Sequence, residues 1–237
     1  MIRVTVFNEF YHEKVQEEVR RIYPEGIHQA LKQNLTDSEI TVRTATLEDP
    51  ECGLTEEVLD NTDVLIWWAH VQHDCVPDEI ARRVQKAVWS GMGAIFLHSA
   101  HFSKPFQLLM GTPCSLGWRE DGDREYLWVC DPAHPIAQGI NRYLKLEQEE
   151  TYSEPFCVPE PDKLVFIGSY EGGEVFRSGC CYNRGSGKIF YFQPGHETFP
   201  IYHDPQIIRV IKNAVHWAAP VCRRENTACP NIQKIEG

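Results

Sequence analysis

In the first half of the chain, short strand-like runs alternate with segments whose apolar residues recur every three or four positions. The runs are Ile2–Phe7, Ile40–Arg43, Val64–Trp68 and Ala94–Leu97. Runs of this length predict buried strands. The helical spacing predicts one helix after Pro24 and another that opens at Asp78 and stops at Gly91, a residue suited to a left-handed turn. Because short links join these elements, their order predicts a doubly wound α/β fold with a parallel sheet.

The second half of the chain contains shorter strand candidates separated by turns rich in glycine and proline. They are Tyr126–Val129, Leu144–Leu146, Leu164–Ile167, Glu174–Phe176 and Ile189–Phe192. The glycine-rich turn before Lys188 predicts a hairpin, and hence antiparallel strands added to the sheet. A last helix is predicted over Pro205–Trp217. We expect a single domain over residues 1–219 and a polar, poorly packed tail over residues 220–237.

Three of the predicted strands end in histidines. His70 follows the third strand, His98 and His101 follow the fourth, and His196 follows the last. A single histidine near a strand end is usually an ordinary hydrogen-bonded residue. However, sites in open α/β sheets lie at the carboxyl ends of strands, and a catalytic zinc takes about three protein ligands. The sequence therefore predicts a divalent metal, zinc first, held by His70, His98 and His196, with His101 as a substitute ligand.

The turn after Leu97 has the strand-turn-helix context of a nucleophile elbow, with Ser99 as the candidate nucleophile. Such elbows carry glycine two residues before and two residues after the nucleophile, where this chain has Leu97 and His101. A triad of Ser99, His196 and Glu197 is therefore disfavoured, although it stays open as an alternative.

Two further segments carry polar groups suited to a sugar site. Trp118, Arg119 and Glu120 combine an aromatic plate, a planar donor and an acceptor, which suits a polyol, and an ordinary loop with a packed tryptophan is an equally good interpretation. The acidic run Glu149–Glu154 is either a solvated loop or the source of one catalytic base, Glu150.

Composition narrows the classes of partner. The 237-residue chain carries 23 Lys and Arg against 34 Asp and Glu, for a formal net charge of −11. With no basic cluster, this balance argues against nucleic acid and anionic membranes as partners. No apolar run approaches the roughly 20 residues of a membrane span, and the first residues resemble a strand more than a signal peptide. The nine cysteines form no CxxC pair, so we expect reduced thiols in a cytoplasmic protein.

Several longer segments match the pattern of one known family. They are Asn8–Phe10, Thr62–His70, Gly91–Lys104, Gly172–Cys181, Pro194–Glu197 and Asn213–Ala219. With these segments, the sequence resembles the ThuA-like trehalose-utilisation family over almost its whole length up to Pro220. The resemblance implies a fold like that of class I glutamine amidotransferases, with a flavodoxin-like, mostly parallel sheet flanked by helices. It also implies a role in the use of trehalose and related disaccharides, through 3-keto sugar intermediates.

The chain departs from the amidotransferases in the residues that perform their chemistry. Those enzymes have a cysteine at the elbow and a His-x-Glu pair after a late strand, whereas this chain has His98–Ser99 and the adjacent pair His196–Glu197. In extended backbone, adjacent side chains point in opposite directions, so we expect only one of His196 and Glu197 to enter the site. Glutamine amidotransferase activity is accordingly not expected.

The preferred hypothesis is a metal-assisted isomerase, lyase or hydrolase that acts on a sugar. Catalytic roles are assigned to His98, His196 and Glu197, and substrate contacts to Asn8, Glu9, Trp118, Arg119 and Glu120. One alternative is a non-catalytic sugar-binding or regulatory protein on an amidotransferase scaffold, and another is a serine hydrolase that uses Ser99. The aromatic content also favours association between copies of the chain.

Overall fold

The computed structural model describes residues 1–224 and 231–235, and within them nine strands form one mixed sheet. The strands are β1 (Ile2–Asn8), β2 (Ile40–Thr46), β3 (Val64–Trp68), β4 (Gly93–Leu97), β5 (Gly117–Val129), β6 (Tyr143–Ser153), β7 (Lys163–Tyr170), β8 (Val175–Arg184) and β9 (Gly187–Phe192). Their order is β2-β1-β3-β4-β9-β8-β7-β5-β6. The first five strands of this order run parallel, and the last four continue the sheet in antiparallel pairs. The predicted fold class is confirmed.

Helices cover both faces of the parallel half. They are α1 (His12–Val15), α2 (Glu17–Ile22), α3 (Ile27–Leu35), α4 (Glu56–Asp60), α5 (Asp78–Trp89), α6 (Lys104–Met110) and α7 (Pro205–Ala218). Successive residues of a strand serve opposite cores: Ile66 packs in one buried cluster and Trp67 in the other. The three longest helices, α3, α5 and α7, agree with the predicted periodicity. The others are too short for a repeat of 3.6 residues to show in the sequence.

The antiparallel half is longer and more regular than the sequence indicated. Strands β5 and β6 form a ribbon whose outer part, Gly117–Arg124, is polar and lies before the strand that the sequence predicts from Tyr126. Its pairing contains register shifts near Asp123, next to Gly122 at a φ of 68°. A residue inserted into one strand of a pair bends and twists the ribbon. This polar extension brings part of the ribbon to the carboxyl edge of the parallel strands.

The structure differs from the prediction at the start of the C-terminal tail, directly after Pro220. Arg223 Nη1 donates to the carbonyl oxygens of Leu59 and Asp60, both at 2.9 Å, and the Arg224 amide donates to the Ser90 carbonyl at 2.8 Å. The first residues after Pro220 are thus held against the body of the fold. Residues 225–230 and 236–237 of the expected tail lie outside the described residues. No helix in the described ranges is both long and apolar enough to span a membrane.

Candidate functional site

Four side chains from four segments converge where the parallel strands end. His70 lies two residues beyond β3, His98 directly follows β4, His196 lies four residues beyond β9, and Glu150 projects from β6. One ligand atom from each of these residues lies within 4.8 Å of the others. The structure therefore brings together the three histidines that the strand ends predicted and adds a carboxylate from the antiparallel ribbon.

In each of the three imidazoles, Nδ1 points away from the converging atoms and contacts another group. The contacts are His70 Nδ1 with Glu197 Oε2 at 2.8 Å, His98 Nδ1 with the Gln193 carbonyl oxygen at 2.9 Å, and His196 Nδ1 with Thr198 Oγ1 at 2.7 Å. His196 Nδ1 also accepts the Thr198 backbone N–H at 3.3 Å. With each Nδ1 engaged, Nε2 is the ring nitrogen that faces the converging group. A hydrogen bond on one imidazole nitrogen fixes the direction in which the other nitrogen points.

His98 and Glu150 form the closest contact of the group. His98 Nε2 and Glu150 Oε2 lie 2.9 Å apart, and both atoms are buried without a well-aligned hydrogen bond. Because a carbonyl only accepts, His98 Nδ1 carries a hydrogen, and a neutral ring would direct the lone pair of Nε2 at the carboxylate. Burial disfavours the charged ring, but the Glu150 carboxylate raises the pKa of His98 to about 9. The pair requires a proton or a cation between its two atoms.

The backbone at the end of β4 is strained at His98 itself. His98 has a φ of 53°, in the left-handed region that non-glycine residues rarely adopt. Gly195, on the facing segment, has a φ of 145°, and a Cβ there would overlap Tyr202 Oη and lie 3.3 Å from His98 Cβ. The strained residue of the elbow-like turn is therefore His98, which is fully buried.

Ser99 lies one residue beyond the strained position. Its Oγ is 2.7 Å from Tyr152 Oη, the one side-chain hydrogen bond of Ser99 in the described part of the chain. No imidazole in the described residues serves it as a base, so the geometry of a Ser99–His196–Glu197 triad is absent there.

The adjacent pair His196–Glu197 does not behave as an extended strand. Both side chains line the same pocket and both are at least nine-tenths buried. The expectation that they point in opposite directions was wrong, because β9 ends at Phe192 and the residues after it follow an irregular path. Burial opposes the ionisation of Glu197, but the hydrogen bond with His70 and the neighbouring imidazoles lower the pKa of its carboxyl well below the ordinary range.

His101 lies on the wall of the pocket, outside the converging group. Its Nδ1 is 2.7 Å from the Cys114 carbonyl oxygen, and burial lowers the pKa of the ring to about 3. Neither of the two groups of close ligand atoms in the described residues includes it. The fourth member of the converging group is Glu150, and not His101, which the sequence predicted as a substitute ligand.

His70, Glu150 and His196 line an open pocket of about 410 Å³, and His98, the fourth converging residue, is fully buried next to it. Phe102, Leu116 and Trp118 contribute apolar walls, and Tyr152 lies deeper, stacked on His98 with ring centroids 5.2 Å apart. None of the described residues that line it is a lysine or arginine. A larger groove of about 620 Å³ runs along α7, but it contains none of the converging ligands, so we place the site in the smaller pocket.

The predicted substrate residues separate into two sets. Trp118 and Glu120 line the pocket, and Trp118 is 62% exposed. Arg119 lies between them on the strand, so its side chain points to the other face. There it pairs with three carboxylates instead of facing the pocket, those of Asp121, Asp123 and Glu174.

Asn8 and Glu9 were expected to contact the substrate, and the structure gives them structural contacts instead. Asn8 is fully buried, with Nδ2 2.7 Å from Glu13 Oε1 and 3.0 Å from Nδ1 of the buried His28. The Glu9 carboxylate accepts the backbone N–H groups of residues 71 and 72. Neither residue lines the pocket, because polar groups at the buried end of β1 are consumed by local hydrogen bonds.

Glu149 also contributes to the site, and nothing in the sequence distinguishes it from its acidic neighbours. It is fully buried and accepts the backbone N–H groups of Gly195 at 2.8 Å and His196 at 3.1 Å, which fixes the segment that carries His196. Burial raises the pKa of Glu149 to about 7. The acidic run is therefore an inward-facing strand and not a solvated loop. Only the position of this acidic run beside the parallel strands, which is a long-range feature of the fold, distinguishes an inward-facing strand from a solvated loop.

The fold and the sequence both match one family. The family model for ThuA, described as trehalose utilisation, matches residues 3–218. A putative ThuA-like protein from Parabacteroides merdae shares 14% identity at a TM-score of 0.66, over 95% of this chain and 92% of that one. A second, from Bacteroides uniformis, shares 14% identity at a TM-score of 0.64, over 91% and 90%.

A protein titled cytoplasmic protein STM3548, from Salmonella typhimurium, has 11% identity and a TM-score of 0.62, over 92% of this chain and 100% of that one. At these identities the structural likeness shows the fold alone. Among curated proteins, none matches this chain.

Proposed function

The chain belongs to the ThuA trehalose-utilisation family, and we propose that it is a metal-dependent enzyme acting on trehalose, a related disaccharide or a 3-keto derivative. The family supports a role in carbohydrate utilisation. The metal-dependent chemistry and the identity of the sugar are the parts that we propose.

One observation carries the proposal: buried ligand atoms converge with few hydrogen bonds to satisfy them. His98 Nε2 and Glu150 Oε2 face each other at 2.9 Å without a well-aligned hydrogen bond, and His196 Nε2 is buried with no hydrogen-bond partner among the described residues. Buried polar atoms normally have one, because leaving them unpaired costs about 1–3 kcal/mol each. Three imidazoles and a carboxylate form a donor set that suits Zn²⁺ or another first-row divalent ion. In this proposal His70, His98, His196 and Glu150 hold the ion, zinc being the first expectation.

The pocket wall supplies the remaining roles. A bound divalent ion supplies Lewis acidity, which polarises a carbonyl or a pair of hydroxyls on the sugar. Trp118 offers an exposed ring on which a sugar face can stack, and Glu120 accepts hydrogen bonds from hydroxyls. Proton transfer at the adjacent carbon is assigned to Glu197, whose Oε1 lies 3.6 Å from His12 Nε2 at the pocket wall. These roles describe an isomerisation, an elimination or a hydrolysis.

The test is metal content joined to activity. Protein purified without a histidine tag should contain about one divalent ion per chain, and an H98A/H196A double variant should contain almost none. His216→Ala, which changes an exposed histidine on α7, is the matched control and should keep the ion. Turnover of trehalose, 3-keto-trehalose or a related glycoside should require the ion. Metal-free protein that converts the sugar at an unchanged rate would contradict the proposal.

The same experiment separates the two alternatives. Protein that binds sugar with Trp118 but shows neither metal nor turnover would favour a non-catalytic sugar-binding protein. Covalent labelling of Ser99 by a fluorophosphonate, abolished in Ser99→Ala, would favour a serine hydrolase.

We also propose that the protein works in the cytoplasm with a small sugar as its partner. Every cysteine in the described ranges is a free thiol, which suits a reducing compartment. Binding of nucleic acid or of a membrane is not expected from a net charge of −11. Association between copies is a further expectation, which light scattering after size-exclusion chromatography measures directly.

A further inference from the structure

His70 belongs to two overlapping groups of close ligand atoms. One group contains His70, His98, Glu150 and His196, and the other contains His12, His70 and Glu197. Taken alone, the two groups suggest either two neighbouring ions or one ion with a supporting layer behind one of its ligands. The chemistry of the shared imidazole decides between them.

An imidazole binds two ions only when both of its nitrogens have lost their protons. The His70 ring instead has Nδ1 2.8 Å from Glu197 Oε2, a distance typical of an N–H donating to a carboxylate. With the hydrogen on Nδ1, only Nε2 is available as a ligand, and the second group loses one of its three members. A histidine that binds a metal commonly donates its other N–H to a carboxylate in this way.

A second imidazole lies on the other side of Glu197. Glu197 Oε1 lies 3.6 Å from His12 Nε2, and His12 Nδ1 lies 3.6 Å from Glu9 Oε1, so these contacts are close electrostatic ones and not hydrogen bonds. The Glu9 carboxylate is in turn anchored by the backbone N–H groups of Val71 and Gln72, at 3.1 Å and 2.8 Å to its nearer oxygens. A row of alternating carboxylates and imidazoles therefore runs from Glu9, after β1, to His70, after β3. The segment that carries His70 also anchors the Glu9 end of the row, through the N–H groups of Val71 and Gln72.

We propose that Glu197 is a positioning residue for His70, with His12 and Glu9 holding Glu197 in place, so that the pocket contains one ion and not two. This inference rests on the proposed function, since it concerns the same ion. It gives Oε2 of Glu197 a task distinct from the proton transfer assigned to Oε1. It also gives Glu9 a role behind the site, in place of the substrate contact expected from the sequence.

The experiment measures metal binding, so it does not depend on knowing the substrate. Zn²⁺ or Co²⁺ affinity is determined by competition with a chelator, and the visible absorption of the Co²⁺-loaded protein reports the geometry at the ion. Glu197→Gln should weaken affinity about 10–100-fold and change the Co²⁺ spectrum, which is the usual size of such outer contacts. His12→Asn should weaken it by a smaller factor, because it acts only through Glu197.

Glu171→Gln is the control, since Glu171 is an exposed carboxylate that pairs with Arg124 on the surface. Glu171→Gln should leave both the metal affinity and the Co²⁺ absorption spectrum unchanged. Circular dichroism of the metal-free variants checks that each one folds. If Glu197→Gln does not fold, the metal affinity of His12→Asn tests the positioning role independently.

The outcomes separate this inference from the proposed function. Wild-type protein that binds no ion overturns both. Wild-type protein with one ion, bound equally tightly by Glu197→Gln and with an unchanged spectrum, overturns only the positioning role. Two ions per wild-type chain, one of which is lost in Glu197→Gln while the other keeps its affinity, would show that His12 and Glu197 are ligands.

Discussion

The two halves of the sheet contribute to the site in different ways. The parallel half supplies three imidazoles from the ends of β3, β4 and β9, each held by a backbone or side-chain contact close behind it. The antiparallel ribbon supplies Glu150, Tyr152 and Trp118, from strands that are polar for much of their length. The first half therefore resembles a fixed frame for a ligand set, and the second resembles the wall that meets the substrate. Substitutions in the two halves should differ accordingly.

The largest contrast is between two tryptophans. Trp68 ends β3, is fully buried and donates from Nε1 to the Gly195 carbonyl at 3.0 Å. Trp68→Ala should lower the free energy of unfolding by about 3–5 kcal/mol through lost burial and the cavity it leaves. Trp118→Ala, in the ribbon, should change stability by less than about 0.5 kcal/mol and weaken sugar binding instead. Denaturant unfolding and calorimetric sugar titration measure the two effects, and equal losses of stability would erase the contrast.

The ribbon's share in metal binding is tested by Glu150→Gln. This change keeps the shape of the side chain but removes the charge beside His98. Loss of contacts behind a ligand already costs about 10–100-fold in affinity, so loss of a direct ligand should cost more than about 100-fold. Chelator competition measures the change. Affinity within a few-fold of wild type would mean that the parallel half binds the ion unaided.

The same pair predicts how stability depends on pH in metal-free protein. The pKa of His98 is about 9 in the fold, above the ordinary value of 6.5, because the Glu150 carboxylate outweighs the effect of burial. A raised pKa in the fold stabilises it fully below pH 6.5, and this contribution is lost as the pH rises through 9. Stability should therefore fall over that window. Glu150→Gln should flatten the fall, and an identical slope in the variant would contradict the assignment of the pair.

The smallest effect is expected at Arg119, on the outer face of the ribbon. Its ion pairs are exposed to solvent, which screens them, so they contribute little to stability. Arg119→Ala should leave sugar affinity within about twofold of wild type, while Glu120→Gln, on the inner face, should weaken it. If the order were reversed, with Arg119→Ala the more damaging, Arg119 would face the sugar after all.

The parallel half and the antiparallel ribbon also differ in how much of the site could be predicted from the sequence. The three histidines could be identified from the sequence because each lies within four residues of the end of an apolar strand, and parallel strands end at the same edge of a sheet. Glu150 could be named only as one of two interpretations of an acidic run. Its place in the site depends on the pairing of β5 with β6, which brings residues distant in sequence together. Long-range pairing of polar strands leaves little trace in local periodicity.

Other differences between the expected and the observed positions of residues have equally specific physical causes. Arg119 shares a sequence triplet with Trp118 and Glu120, but alternation along a strand turns it to the opposite face. His196 and Glu197 enter the pocket together because the chain leaves the sheet before reaching them, and the end of a strand is the least certain part of a sequence-based prediction. Asn8 and Glu9 were correctly placed at a strand end, but local hydrogen bonds occupy their polar atoms.

The most direct test of the central claim is X-ray absorption spectroscopy of the zinc-loaded protein, compared with Glu150→Gln. The claim is that the parallel half and the ribbon together hold one divalent ion. The wild-type spectrum should show about three imidazole ligands and one carboxylate, with Zn–N and Zn–O distances near 2.0–2.1 Å. The variant should lose the carboxylate contribution. A spectrum without imidazole scattering, or one dominated by sulfur, would contradict the claim.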